Sequence, residues 1–172
     1  MFHKRRLFVP AALVIISFFG VSAANAQNPN QQCYTVASLQ GSYAMIGNYA
    51  NNIAMALASE YFDGNGNLTR NAIVNQPLAG STTGERTLTA TISKGTYTVN
   101  CNGTGVLTRV LTNLTTGAVS TTVSDLVITG AMVQGGQLLA TTVVDAQRTP
   151  STIVAGGVFV TFVHTRLPDF NY

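Results

Sequence analysis

The apolar positions of this chain follow two rhythms. Residues 7–20, "LFVPAALVIISFFG", form one nearly unbroken apolar run. From residue 41 the pattern changes to short runs in which β-branched, aliphatic and aromatic residues alternate with polar ones, separated by Gly, Asn or Pro. That alternation puts successive side chains on opposite faces of a strand. It predicts strands over 41–49, 53–62, 68–76, 86–93, 95–100, 104–112, 119–129, 137–146 and 152–166, with 86–93 and 95–100 readable as one strand bent around Lys94-Gly95. Thr and Val dominate these runs, and both suit a pleated sheet. No run is long and periodic enough for an extended helix; "CYTVASLQG" allows one short turn.

Eight or nine consecutive strands joined mostly by short turns describe an antiparallel meander. A meander this long hides its edges best by closing on itself. The expected fold is therefore all-β, an antiparallel up-and-down β-barrel of about eight strands, with a two-sheet β-sandwich as the alternative. Residues 27–40 read as a lead-in and residues 41–172 as the barrel domain.

The first 26 residues read as a secretory signal peptide, helical in its apolar stretch. His3, Lys4, Arg5 and Arg6 precede the apolar run, and Ala24-Asn25-Ala26 supplies a small-x-small cleavage site. Arg5-Arg6 loosely resembles a twin-arginine signal, which leaves the export route open. The expected location is secreted or periplasmic. Removal of this segment changes the charge picture. The nine basic residues of the whole chain fall to six, matched by all six acidic ones. The basic character of the precursor thus belongs to its leader. No basic patch for nucleic acid and no polybasic arm for a membrane surface remain, so neither nucleic-acid binding nor stable membrane insertion after cleavage is expected.

Cys33 and Cys101 both survive cleavage. In an oxidising compartment an even count reads as a disulfide, with two free thiols as the rival reading. Two cysteines and the distant His164 lack metal-ligand spacing.

"DGNGN" at residues 63–67 invites a calcium reading, since Asp63, Asn65 and Asn67 occupy the first, third and fifth places of a calcium loop. The sixth place is Leu68 and the twelfth is Val74, where glycine and glutamate are needed. Asn-Gly between strand patterns is instead a hairpin signal. No metal and no cofactor are expected.

Candidate chemistry is sparse. There is no Gly-x-Ser-x-Gly elbow, and His164, near the end of the last strand, reads as a surface or loop-facing residue. Glu60, Asp125 and Asp145 read first as single solvated charges. Arg109 shares a face with Leu107 and Leu111; if those leucines point inward, Arg109 lies in the lumen and needs a carboxylate or an anionic ligand, because an unpaired buried charge is costly. Glu60 is the candidate partner. Tyr43, Glu60, Tyr97 and Arg109 are the candidate ligand-binding residues, and no catalytic residue is assigned.

"LQGSYA", "YFDGNGNLT" and "GTYTVNCNGTGVLT" together resemble a group of small secreted bacterial proteins whose barrel is similar to the allene oxide cyclase barrel and the lipocalin-like class. The resemblance covers most of residues 33–112. It implies an eight-stranded barrel and a pairing of Cys33 with Cys101, and it carries no catalytic residue. The expected function is a binding module for a small apolar ligand. The alternatives are a structural or surface-associated protein without such a ligand and, behind it, a cyclase-like barrel enzyme. Oligomeric state is left open.

Overall fold

The computed structural model describes residues 32–151 and 156–168. The expected signal peptide and its cleavage site lie outside the described residues. Eight strands follow one another: β1 (Gly41–Tyr49), β2 (Ala54–Phe62), β3 (Asn67–Pro77), β4 (Arg86–Val99), β5 (Thr104–Asn113), β6 (Val119–Gln134), β7 (Gln137–Gln147) and β8 (Val160–Arg166). Each pairs antiparallel with its neighbour in sequence, and β1 also pairs with β8, from Tyr43 opposite Arg166 to Tyr49 opposite Val160. The sheet is a closed up-and-down barrel, so the sandwich alternative does not apply.

Inside and outside follow the period of two. Along β1, Tyr43, Met45, Gly47 and Tyr49 are buried while Ala44, Ile46 and Asn48 are exposed. Along β3, Leu68, Arg70, Ala72 and Val74 alternate inward in the same way. Gly47 is required by packing: a Cβ there would stand 2.6 Å from the Phe162 ring, which fills the space instead.

One end of the barrel is plugged. Residues Val36–Leu39 form a 3₁₀ turn, and Leu39 is wholly buried beneath it. Below it, Tyr43, Phe62 and Tyr97 stack edge-to-face, Phe62 lying 5.3 Å from Tyr43 and 5.0 Å from Tyr97, a favoured aromatic geometry. A disulfide joins Cys33 to Cys101, and the Tyr34 amide donates to the Cys101 carbonyl at 3.2 Å. The lead-in is thereby tied to the β4–β5 turn, and the plug is held in place.

Residues 86–99 form one strand, the continuous reading of that stretch. Two boundaries differ from the sequence pattern. Strand β6 runs on to Gln134 through an irregularity at Gly130 and returns through Gly135-Gly136, both at positive φ (57° and 78°), the conformation of a tight hairpin. The last described strand begins at Val160; Gly156 and Gly157 stand at φ 88° and 75° before it, Ser151 and Val158 form an isolated bridge, and residues 152–155 of the expected strand lie outside the described residues.

The "DGNGN" segment is a hairpin tip. Asp63 Oδ1 accepts from the Asn65 and Asn67 amides at 2.7 and 2.9 Å, and Oδ2 accepts from the Asn67 side chain at 2.7 Å. The two glycines, 64 and 66, carry the positive φ, so the loop is built on an Asx turn rather than on Asn65-Gly66 as paired turn centres.

Candidate functional site

The middle of the barrel holds a network of charged side chains from four strands. Arg109 on β5 donates from Nε to Glu60 on β2 at 3.0 Å and from Nη2 to Asp145 on β7 at 2.9 Å. His164 on β8 stands between the same two carboxylates. Its Nε2 is 2.6 Å from Asp145 Oδ2. Its Nδ1 is 2.8 Å from Glu60 Oε2, an ion-pair approach that is off the line of a hydrogen bond. All four residues are at most 1 % exposed.

Burial alone would raise the Glu60 carboxyl, but Arg109 and His164 outweigh it and hold the group at about 2. Asp145 is lowered for the same reasons. Burial would lower His164, yet its contacts with Asp145 and Glu60 win and raise it. Each group is thus held in its charged form by the others.

Two expectations are corrected here. His164 is buried at the centre of the barrel, because β8 turns its Phe162–His164 face inward. Glu60 and Asp145 are interior ions and not solvated ones; Asp125 alone of the three is exposed, paired with Arg148 at 2.7 Å. The conditional reading of Arg109 holds, with Leu107 beside it fully buried.

A fifth buried charge sits apart. Arg70 on β3 is 5 % exposed, and it makes no ion pair among the described residues. Its Nη2 donates to Ser93 Oγ at 3.3 Å, its Nη1 approaches the Met45 sulfur at 3.6 Å, and its Nε has no partner. The guanidinium lies 5.7 Å from the Phe162 ring, on which Arg109 also lies at 5.5 Å. Burial and the like charge of Arg109 lower Arg70 to about 10.

The end of the barrel opposite the plug carries a cavity of about 480 Å³. Apolar groups (Tyr49, Val74, Leu111) alternate on its walls with hydroxyls and amides (Thr89, Thr91, Gln147). Two buried oxygens of this wall, Thr91 Oγ1 and Gln147 Oε1, have no hydrogen-bond partner.

The four residues expected to bind ligand lie elsewhere. Tyr43 Oη donates to the Ala140 carbonyl at 2.8 Å and accepts from Arg166 at 2.8 Å. Tyr97 Oη donates to the Val36 carbonyl at 3.0 Å, beneath the plug. Glu60 and Arg109 do converge, but inside the network, and none of the four lines the cavity. Half of the residues that do line it are threonine, serine and asparagine, types so common in this chain that no local signal marks them.

The outer wall has one further feature. Ile46, Leu57, Ile73 and Ile92, from β1 to β4, form an exposed apolar strip with Leu114. Comparison of the chain with protein-family models, with curated proteins and with solved structures gives no match.

Proposed function

We propose that the chain is an exported binding module that takes a small ligand into the open mouth of its barrel. The observation that carries this reading is the asymmetry of the two ends: a disulfide-anchored plug at one, and a cavity of about 480 Å³ at the other. A concave site with apolar walls and a few polar groups suits a small molecule. Because the centre of the barrel is packed, the ligand would occupy the mouth and not a continuous lumen, and the mixed walls favour an amphiphile over a purely apolar molecule. The convergence of Glu60, Arg109 and His164 does not favour an enzyme: these groups are buried, none lines the cavity, and they neutralise one another's charge, which is the behaviour of a structural network.

A second reading has its own support. The exposed strip of Ile46, Leu57, Ile73 and Ile92 fits a structural or surface-associated protein that takes no small ligand.

One experiment separates the two. The neutral, environment-sensitive dye N-phenylnaphthylamine is titrated into the purified protein and into Thr122→Trp, which places an indole in the mouth. Saturable fluorescence lost in the folded variant supports the mouth. Equal fluorescence in both puts the dye on the outer strip and favours the surface reading.

A further inference from the structure

Among the described residues the buried ionisable side chains include the cations Arg70 and Arg109, the anions Glu60 and Asp145, and His164, which adds a third positive charge when it is protonated. Both carboxylates are in direct contact with Arg109 and His164; Arg70, opposite Glu60 in the β2–β3 register, feels their charge without an ion pair to either. A guanidinium carries five donors in a planar fork suited to a carboxylate. Arg70 uses one on a hydroxyl and turns another toward a thioether, while its Nε edge is unpartnered. A buried cation with half its donors open is costly unless an acceptor, best a negative one, meets them.

Arg70 lies directly beneath the mouth. Its guanidinium reaches Ser93, one inward-facing step below Thr91 on β4, and Thr91 is on the cavity wall. That step is about 7 Å along a strand. Tyr49, also on the wall, is close enough for Arg70 to favour its ionised form, against the larger opposing effect of burial. The Thr91 hydroxyl, on the cavity wall, is buried and has no hydrogen-bond partner.

We infer that Arg70 is the anion-recognising group of the mouth, and that the ligand is a small amphiphilic carboxylate whose head passes Thr91 to the Nε edge of Arg70 while its apolar part rests against Tyr49, Val74 and Leu111. Such a head would meet the open Nε edge with a charge-assisted hydrogen bond. This rests on the mouth being the binding site and adds the chemical class of the ligand.

The test uses octanoate and its neutral counterpart octanol, titrated calorimetrically into the purified protein at neutral pH. Octanoate is expected to bind at least about tenfold more tightly than octanol. In Arg70→Met the ratio of the two affinities should collapse toward one. Should that variant fail to fold, the same question is answered in the unaltered protein by nitrogen NMR, where the Arg70 Nε–H resonance should move with octanoate and stay in place with octanol. Binding of octanol with no preference for octanoate would overturn the anion site and leave the mouth as a binding site. A preference that persists in Arg70→Met would overturn the assignment to Arg70. Binding of neither probe would overturn the mouth reading itself, and this inference with it.

Discussion

His164 Nε2 and Asp145 Oδ2 lie 2.6 Å apart, with neither side chain reaching solvent. The bond links β8 to β7 at the level where Glu60 and Arg109 also meet, and it makes stability depend on pH in both directions. Carboxylates whose values fall on folding, Glu60 from 4.5 to about 2 and Asp145 likewise downward, contribute stability that is full above their ordinary values and is lost as pH falls through the folded ones. An imidazole raised from 6.5 contributes stability that is full below 6.5 and is lost as pH rises through its folded value. Maximal stability is therefore expected between about pH 4.5 and about pH 6.5. Urea unfolding from about pH 3 to about pH 9 should show this plateau. His164→Gln should abolish the decline on the alkaline side, and an unchanged alkaline limb in that variant would contradict the assignment.

Loss of one member of the network should be severe. Arg109→Met leaves Glu60 and Asp145 buried with only His164 between them. Breaking a buried ion cluster in this way costs about 3–5 kcal/mol. The measurement is the shift in urea midpoint at pH 6; a cost below about 1 kcal/mol would mean that water reaches the centre of the barrel.

Gly47 should not tolerate a side chain. Its Cβ would press on the Phe162 ring, which lies against both Arg70 and Arg109. Gly47→Ala is expected to cost about 1–3 kcal/mol. Phe162→Leu in the same chain should recover part of that cost, a coupling that a double-mutant cycle reads directly. Additive effects would show that the ring can move aside.

The Cys33–Cys101 bond closes a loop of 68 residues in sequence separation, for which chain entropy gives about 4 kcal/mol as a model-dependent figure. Non-reducing peptide mapping should recover the linked pair. Cys33→Ser/Cys101→Ser should melt at lower temperature, with loss of hydrogen-exchange protection beginning at the plug, around Leu39. Full alkylation of both thiols without reductant would refute the bond.

The alternation of β3, with Leu68, Ala72 and Val74 inward and Thr69, Asn71 and Asn75 outward, makes that strand readable; β1 and β2, whose outward positions include Ile46 and Leu57, are marked instead by β-forming residues bounded by Gly and Asn. The threonine-rich strands were harder. A period of two marks two faces but not which is inner when both carry Thr and Val, so Asp145 in "TTVVDA" could be read as solvated. The network itself has no local signature: Glu60 lies 49 residues from Arg109, and Arg109 lies 36 from Asp145. Only Arg109 announced a need, through its place between two leucines, and that need pointed to Glu60. His164 looks peripheral in sequence because it stands near the end of its strand, but a strand end in sequence is not an end of the barrel. Its register opposite Met45 and Val143 sets it deep in the barrel. Residues 156–159 read as strand because Val158 and Phe159 outweigh the Gly156-Gly157 break.

Closure of β1 against β8 has a consequence for the order of folding. The contact between Tyr43 and Arg166 spans 123 residues, so its loop-closure entropy is among the largest this chain can incur. The ionic centre draws one member each from β2, β5, β7 and β8. A chain that has formed its first seven strands still presents Glu60, Arg109 and Asp145 without their histidine, along an open seam between β1 and β7. Docking of β8 shuts the seam and supplies that histidine in one event. β8, the last of the described strands, is thus the keystone of the closed sheet.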